Sequence, residues 1–332
     1  MKHLVISEYG QFLSLRSERL LVKHEDREIA EYPLNRLHTV TIAKQGVGLS
    51  SNLVQACVDR GVRMFFLDSL GNCNASISSI RSNAVGATRR KQVLFIENVA
   101  SASKLASRIV YGKIRNQRSI ILYLLKYAQN TKAEHCCIFE EVSAKLSELS
   151  EAVQYLSAHE GDNRGKLFGL EGNAASLYWS GLSKSGMFPS SFKGREGRGA
   201  LDITNAALNY GYAILLSRVW NAVLVAGLEP YIGIFHVERP GKPSLVLDLM
   251  EEYRAWCVDK VIIKNRHLLQ KEQSLVPAVK KVIINGVQEA FSKSYHYKGS
   301  LIPLDSILQR QVYKLSGCFA GDKEYKPYIF KW

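Results

Sequence analysis

Residues 82–91 read "SNAVGATRRK", and the apolar spacing differs on the two sides of this stretch. Before it, "HLVISEY" (3–9), "FLSLRSERLLVKH" (12–24), "REIAEYPL" (27–34) and "LHTVTIA" (37–43) are short, rich in β-branched residues and bounded by turn formers, the signature of strands. "SNLVQACVDRG" (51–61) interrupts them as a helix, with Ser51 as candidate cap and Gly61 as terminator; the buried-looking strand "VRMFFLD" and the weaker "NASIS" follow. Beyond about residue 92 the spacing lengthens from two to between three and four, so the rest of the chain is predicted helical. The reading is an α+β protein: a small N-terminal β-rich domain over 1–85, with 82–91 as the linker, and a larger α-helical domain over 86–332.

Within the helical part, Leu105, Ile109, Ile114, Ile121, Leu124 and Leu125 mark one apolar face, and Lys104, Arg108, Arg115 and Arg118 lie off it. "FEEVSAKLSELSEAVQYLSA" (139–158) is expected as its antiparallel neighbour. A third helix runs from the N-cap Asp202 to Ala226, with Gly227 ending it and Pro230 beyond. Two more are expected near "VPAVKKVIINGVQEAF" and "LDSILQRQVYKL".

Charge narrows the partner. The chain carries a net +14, and between Arg81 and Lys132 eleven Lys or Arg face the single acid Glu97. A solubilising surface normally mixes both signs, so this bias favours a polyanion such as DNA. The loop "FPSSFKGREGRGA" (188–200) adds Lys193, Arg195 and Arg198. Six cysteines without a CxxC suit a reduced, cytoplasmic setting, and no apolar run reaches the roughly 18 residues of a membrane span.

No nucleophile elbow, zinc spacing or complete phosphate loop is present, which leaves carboxylates and histidines to carry chemistry. "LVLDLMEEYRAWCVDKVI" (245–262) is predicted as one helix whose buried stripe is Leu245, Leu249, Tyr253 and Trp256. Asp248 and Glu251, at i and i+3, can point into one space; equally, Glu251 can pair with Arg254 while Asp248 sits in the first turn. Glu252 and Asp259 are expected at the surface or in salt bridges. Glu171, beside Gly172, reads as a glutamate in the first turn of a helix, favoured there by the dipole. Of eight histidines only His236 stands out, between apolar "YIGIF" and the turn "VERPGKPS".

Taken in order, "LEGNAASLYW", "RGALDITNAALNYGYAIL" and "YIGIFHVERPGKPSLVLDLMEEYRAWCVDKVI" resemble the CRISPR-associated integrase/endonuclease family of the spacer-acquisition module, the Cas-one proteins. The resemblance implies a dimerising β-domain and a helical catalytic domain. It implies metal ligands at Glu171, His236 and Glu251, with Asp248 as a neighbouring acid that shares the site or orients it. It further implies Mg²⁺ or Mn²⁺, a homodimer, and a complex with DNA (prespacer and CRISPR repeat) and the small Cas-two partner. The expected activity is metal-dependent insertion of spacer DNA by 3′-hydroxyl attack on a phosphodiester. Two alternatives stand beside it: a transposon-like mobile-element integrase, and a non-catalytic DNA-binding subunit. Tyr253-Arg254-Ala255 departs from the family's Phe-Arg-Pro, and Val237 from its small polar residue, neither at a ligand.

Overall fold

The computed structural model describes residues 3–68, 73–79, 86–130, 135–157, 162–197, 202–272, 274–322 and 324–331. Strands β1 (His3–Ile6), β2 (Gln11–Arg16), β3 (Arg19–His24), β4 (Arg27–Pro33), β5 (Thr39–Ile42) and β6 (Gly48–Leu49) precede helix α1 (Ser51–Asp59); β7 (Arg63–Leu67) and β8 (Cys73–Ile77) follow it. They form two four-stranded sheets, ordered β1-β5-β7-β8 and β4-β3-β2-β6. In the first, β1 and β7 run parallel to the central β5, and β8 turns back antiparallel.

The run 12–24, expected as one strand, folds into a hairpin. Ser17 and Glu18 take φ of 43° and 65°, and Glu25 and Asp26 repeat the device with 49° and 60°. Left-handed backbone at both central residues matches a two-residue turn to strand twist, here without the usual glycine. The cap of α1 is Ser50, one residue before the predicted one, whose Oγ accepts the Leu53 N–H. Leu4, Leu13, Leu20, Val40, Leu53 and Met64 belong to the core that these elements share.

The helical part comprises α2 (Gly86–Glu97), α3 (Val99–Asn130), α4 (Cys136–Ser157), α5 (Arg164–Lys184), α6 (Ile203–Val225), α7 (Ser244–Met250), α8 (Lys260–Lys264), α9 (Arg266–Lys271) and α10 (Pro277–Ser292); a hairpin of β9 (Ser294–Tyr297) and β10 (Ser300–Pro303) leads into α11 (Leu304–Phe319). Asp202 caps α6 by accepting the Asn205 N–H, and Gly227 ends it at φ 73°. In α6, Leu208, Tyr212, Leu215, Val219 and Val223 are buried along one stripe, and so are Ala207, Tyr210, Gly211 and Ile214 off it, so this helix is surrounded by protein. At Gly211 a Cβ would fall 2.5 Å from Val258 Cγ1, so only glycine admits the neighbouring segment.

That segment is not the single helix expected over 245–262. After α7, the Tyr253 N–H bonds back to Met250 O, and a π-helical turn occupies Ala255–Asp259. The wider turn accommodates five consecutive buried residues and brings Asp259 against the hydroxyls of Tyr178 (3.0 Å) and Tyr212 (2.5 Å).

A polar seam joins the β-rich part to the helices. The Thr41 hydroxyl donates to Ser217 Oγ, Arg63 donates to Asn221 Oδ1 at 2.7 Å, and His3 lies between Thr39 (2.8 Å) and Asp305 (3.0 Å). These partners suit a neutral imidazole, with Nε2–H donating to Asp305 and Nδ1 accepting from Thr39. Burial, then the nearby Arg218, pushes the His3 ring down to about 4. Folding therefore excludes a proton that the unfolded chain binds. Stability from this group is complete above pH 6.5 and is lost as the pH falls toward 4. Urea unfolding at pH 7 and pH 4.5 should show wild type losing about 2 kcal/mol more than His3→Gln, which cannot titrate; identical losses would refute this role of His3.

The expected boundary at 85/86 adjoins residues 80–85, which lie outside the described residues. Among the described residues no helix is long and apolar enough to cross a membrane.

Candidate metal and DNA site

Glu171 lies in α5, which begins at Arg164, so it is two turns inside the helix and not in the first turn as expected. The dipole therefore does not account for it. Gly172 beside it is exposed, with nothing within 4 Å of a Cβ built there, so the glutamate borders open space. Glu251 comes from the tight turn that closes α7 and is only 5% exposed.

His236 sits in the loop before α7, and Asp248 fixes it. This carboxylate is fully buried and accepts four hydrogen bonds. Oδ2 takes the N–H groups of Ile234 (2.6 Å) and Phe235 (3.0 Å), while Oδ1 takes the His236 N–H (2.9 Å) and its ring Nδ1 (2.6 Å). All its acceptor positions are engaged by protein, so Asp248 holds the imidazole in one orientation. With Nδ1 tied to Asp248, Nε2 is the nitrogen presented outward.

The residue absent from the sequence-based site is Lys113. Its ammonium contacts Glu171 Oε1 and lies 2.8 Å from Glu251 Oε2, with the side chain 13% exposed. Leu105, Ile109 and Lys113 follow at i, i+4 and i+8, so a lysine continuing the inward stripe of α3 is the sequence signal that could have found it. Arg254 Nε approaches Glu251 Oε1 at 3.2 Å, the i+3 pairing weighed for this glutamate. Burial raises the Glu251 carboxyl, but Arg254, then Lys113 and His236, outweigh it and hold the group at about 2. Glu251 is thus a buried anion, and the partner of its Oε2 is the Lys113 ammonium. A buried, ionised carboxylate beside a second carboxylate, with an outward imidazole nitrogen on the neighbouring loop, suits a hard divalent cation.

Glu171, Glu251, Lys113 and Arg254 border a cleft of about 880 Å³ that extends past Trp179 to Lys193 and Arg195. Lys193 is exposed. Arg195 is held in place by Asn205 Oδ1 (2.9 Å) and Asn209 Oδ1 (2.6 Å). Arg198 lies outside the described residues.

The cations of α3 divide by what they touch. Arg115 stacks on the Tyr111 ring and donates to its hydroxyl. Arg118 donates to Ser143 O and joins α3 to α4. Lys104 and Arg108 pair with Glu324, and Arg108 also donates to Tyr325 O. These last two secure the C-terminal segment as well as carrying charge.

Two acids expected at the surface or in salt bridges are buried and held by hydroxyl and N–H donors instead. Glu252, fully buried, accepts the Tyr325 hydroxyl and the Tyr328 N–H, and burial pushes its carboxyl up to about 7. Asp259 is held by the two tyrosines described above. Their partners come from distant parts of the chain, which helix spacing does not reveal.

Among the described residues, the His, Cys, Asp and Glu ligand atoms that gather within 4.8 Å of one another are those of His3, His38 and Asp305. Glu171, His236 and Glu251 do not meet that closely. The His3 cluster includes the Arg218 guanidinium 3.6 Å from Asp305, a charge that disfavours a cation there.

Residues 4–285 match the family model for CRISPR associated protein Cas1. Across 332 residues, covering all of both chains, the sequence is 44% identical to CRISPR-associated endonuclease Cas1 1 of Francisella tularensis subsp. novicida. The fold is similar to that of a casposase bound to an integration product, with a TM-score of 0.80 and 20% identity over 100% of this chain and 95% of that one. It is also similar to a chain of a Cas6-RT-Cas1–Cas2 complex, with a TM-score of 0.79 and 21% identity over 100% of this chain and 36% of that one.

Proposed function

Because the chain belongs to the CRISPR-associated Cas1 family of endonucleases, we propose that it inserts spacer DNA into a CRISPR repeat, with Glu171, His236 and Glu251 holding Mg²⁺ or Mn²⁺. The observation that carries this reading is the pair Glu171 and Glu251 converging on one ammonium at the edge of a cationic cleft. Each glutamate brings an anionic oxygen, and His236 brings Nε2 in the orientation Asp248 imposes.

When bound, the metal supplies charge stabilisation at the scissile phosphate and acidifies the attacking hydroxyl or water. The chain's own groups position the substrate. Lys193 and Arg195 border the same cleft as the carboxylates and offer phosphate contacts there, and Arg115 offers another on α3. Such contacts place DNA without reading it, and make affinity fall steeply with salt. In integration, the prespacer 3′-oxygen forms a bond to phosphorus and a repeat 3′-oxygen leaves. One phosphodiester replaces another, and no protein-linked intermediate is required. Water as the attacker gives hydrolysis.

The partners follow from the same reading: a homodimer through the β-rich part, where Tyr9, Phe12 and Ile29 are exposed, and assembly with Cas2. A mobile-element integrase is less well supported, because identity is 44% to the Cas1 endonuclease against 20% to the casposase.

Strand transfer with Glu171→Ala and His236→Ala, on branched and repeat-containing DNA in Mg²⁺ or Mn²⁺, tests the reading. Each should lose activity by about 10²-fold or more. Unchanged transfer would remove the metal site, and transfer needing neither Cas2 nor a repeat would favour the mobile-element alternative.

A further inference from the structure

Lys113 follows Ile109 by one turn on α3 and is largely covered, with its side chain 13% exposed, and its ammonium touches both glutamates assigned above as ligands. Burial alone would lower its proton affinity, but Glu251 and Glu171 reverse that and keep the ammonium charged. Around Glu171 and Glu251 the charges close on themselves: two carboxylates face Lys113 and Arg254. A divalent ion held by the same two carboxylates would leave the cluster with two excess positive charges and set an ammonium and a metal in competition for them. Coulomb repulsion at such a separation is large in a partly buried site. Arg254 is restrained by the Tyr212 ring beneath it, 4.7 Å from its guanidinium carbon. Lys113 has four flexible methylenes, and it borders the cleft that Lys193 and Arg195 also border.

We propose that Lys113 is a positioning residue that couples metal loading to DNA binding: its ammonium is the internal counter-ion of the Glu171–Glu251 pair, yields those oxygens to the metal, and swings into the cleft to meet a DNA phosphate. The inference rests on the metal reading above and adds a competition to it. Metal and ammonium exclude one another on the glutamates until a phosphate gives the ammonium a new partner, so DNA should strengthen metal binding and metal should strengthen DNA binding by the same factor.

The test is Mn²⁺ affinity of the full-length protein after EDTA treatment, measured by electron paramagnetic resonance with and without a DNA duplex. Lys113→Met keeps most of the side-chain length and removes the charge. It should bind Mn²⁺ about tenfold more tightly than wild type without DNA, and should lose most of the enhancement that DNA produces in wild type. Without Mn²⁺ its melting temperature should fall below that of wild type, and saturating Mn²⁺ should narrow the gap. A merely structural lysine predicts the opposite, since damage to the site would weaken the metal. Mn²⁺ binding equal to or weaker than wild type overturns the proposal. Glu171→Ala separates the two layers. If it leaves wild-type Mn²⁺ affinity untouched, the metal reading falls and this inference with it; if it abolishes binding while Lys113→Met changes nothing, only the inference falls.

Discussion

Asp248→Asn is expected to lower metal-dependent strand transfer by about 10²–10⁴-fold while leaving the protein folded. The aspartate serves four donors with two oxygens, and an amide supplies only one oxygen. If the amide oxygen faces Ile234 and Phe235, the new NH₂ faces the His236 ring and donates to Nδ1, at the cost of leaving one N–H, that of His236, without its acceptor. The ring must then carry its proton on Nε2, the nitrogen that should hold metal. If the amide is reversed, two buried backbone N–H groups confront a donor. The first arrangement is less costly, so the variant should fold and fail chemically. Single-turnover transfer in Mn²⁺, read beside circular dichroism, checks this; a folded variant with wild-type turnover would show that Asp248 does not set the tautomer.

Glu252→Ala is expected to cost about 3–5 kcal/mol of stability, as judged by urea unfolding at pH 7. The tyrosine hydroxyl and backbone N–H that Glu252 now accepts from would be buried without partners. Gly112 lets the C-terminal segment approach: a Cβ there would lie 2.6 Å from Pro327 and 3.4 Å from Glu252 Cγ. Asn116 completes the arrangement, donating to the Glu252 and Tyr328 carbonyls and accepting the Phe330 N–H. Glu252→Gln retains an acceptor oxygen and no charge, and should cost about 1 kcal/mol. A glutamine variant as unstable as the alanine variant would show that the charge, and not the hydrogen bonding, stabilises this region.

These two residues illustrate what a sequence discloses. The strand-to-helix change was legible because alternate and every-third-or-fourth burial are properties of neighbours along the chain. So were Asp202 and Gly227 at the ends of α6, where the cap needs only a side chain and a backbone three residues away. The turn at Ser17–Glu18 was not, because left-handed backbone there carries no glycine. The π-helical turn was hidden by the very periodicity used to predict a single helix. Glu252 and Asp259 looked like solvated acids because their tyrosine partners lie 73, 81 and 47 residues away. Glu171, His236 and Glu251 were singled out by resemblance, as spacing alone left Glu251 equally able to pair with Arg254, which it does. Lys113 was not singled out, although it continues the spacing of Leu105 and Ile109, and what it touches required the fold.

The segment from Glu324 to Phe330 lies against α3 and supplies the partners of Glu252, the residue next to Glu251. This gives biosynthesis a direction. During translation α7 emerges long before Tyr325, and until that tyrosine leaves the ribosome Glu252 has no buried partner and its turn no fixed form. The turn that carries Glu251 and Glu252 therefore gains its packed form only once residues some seventy positions further along have been made.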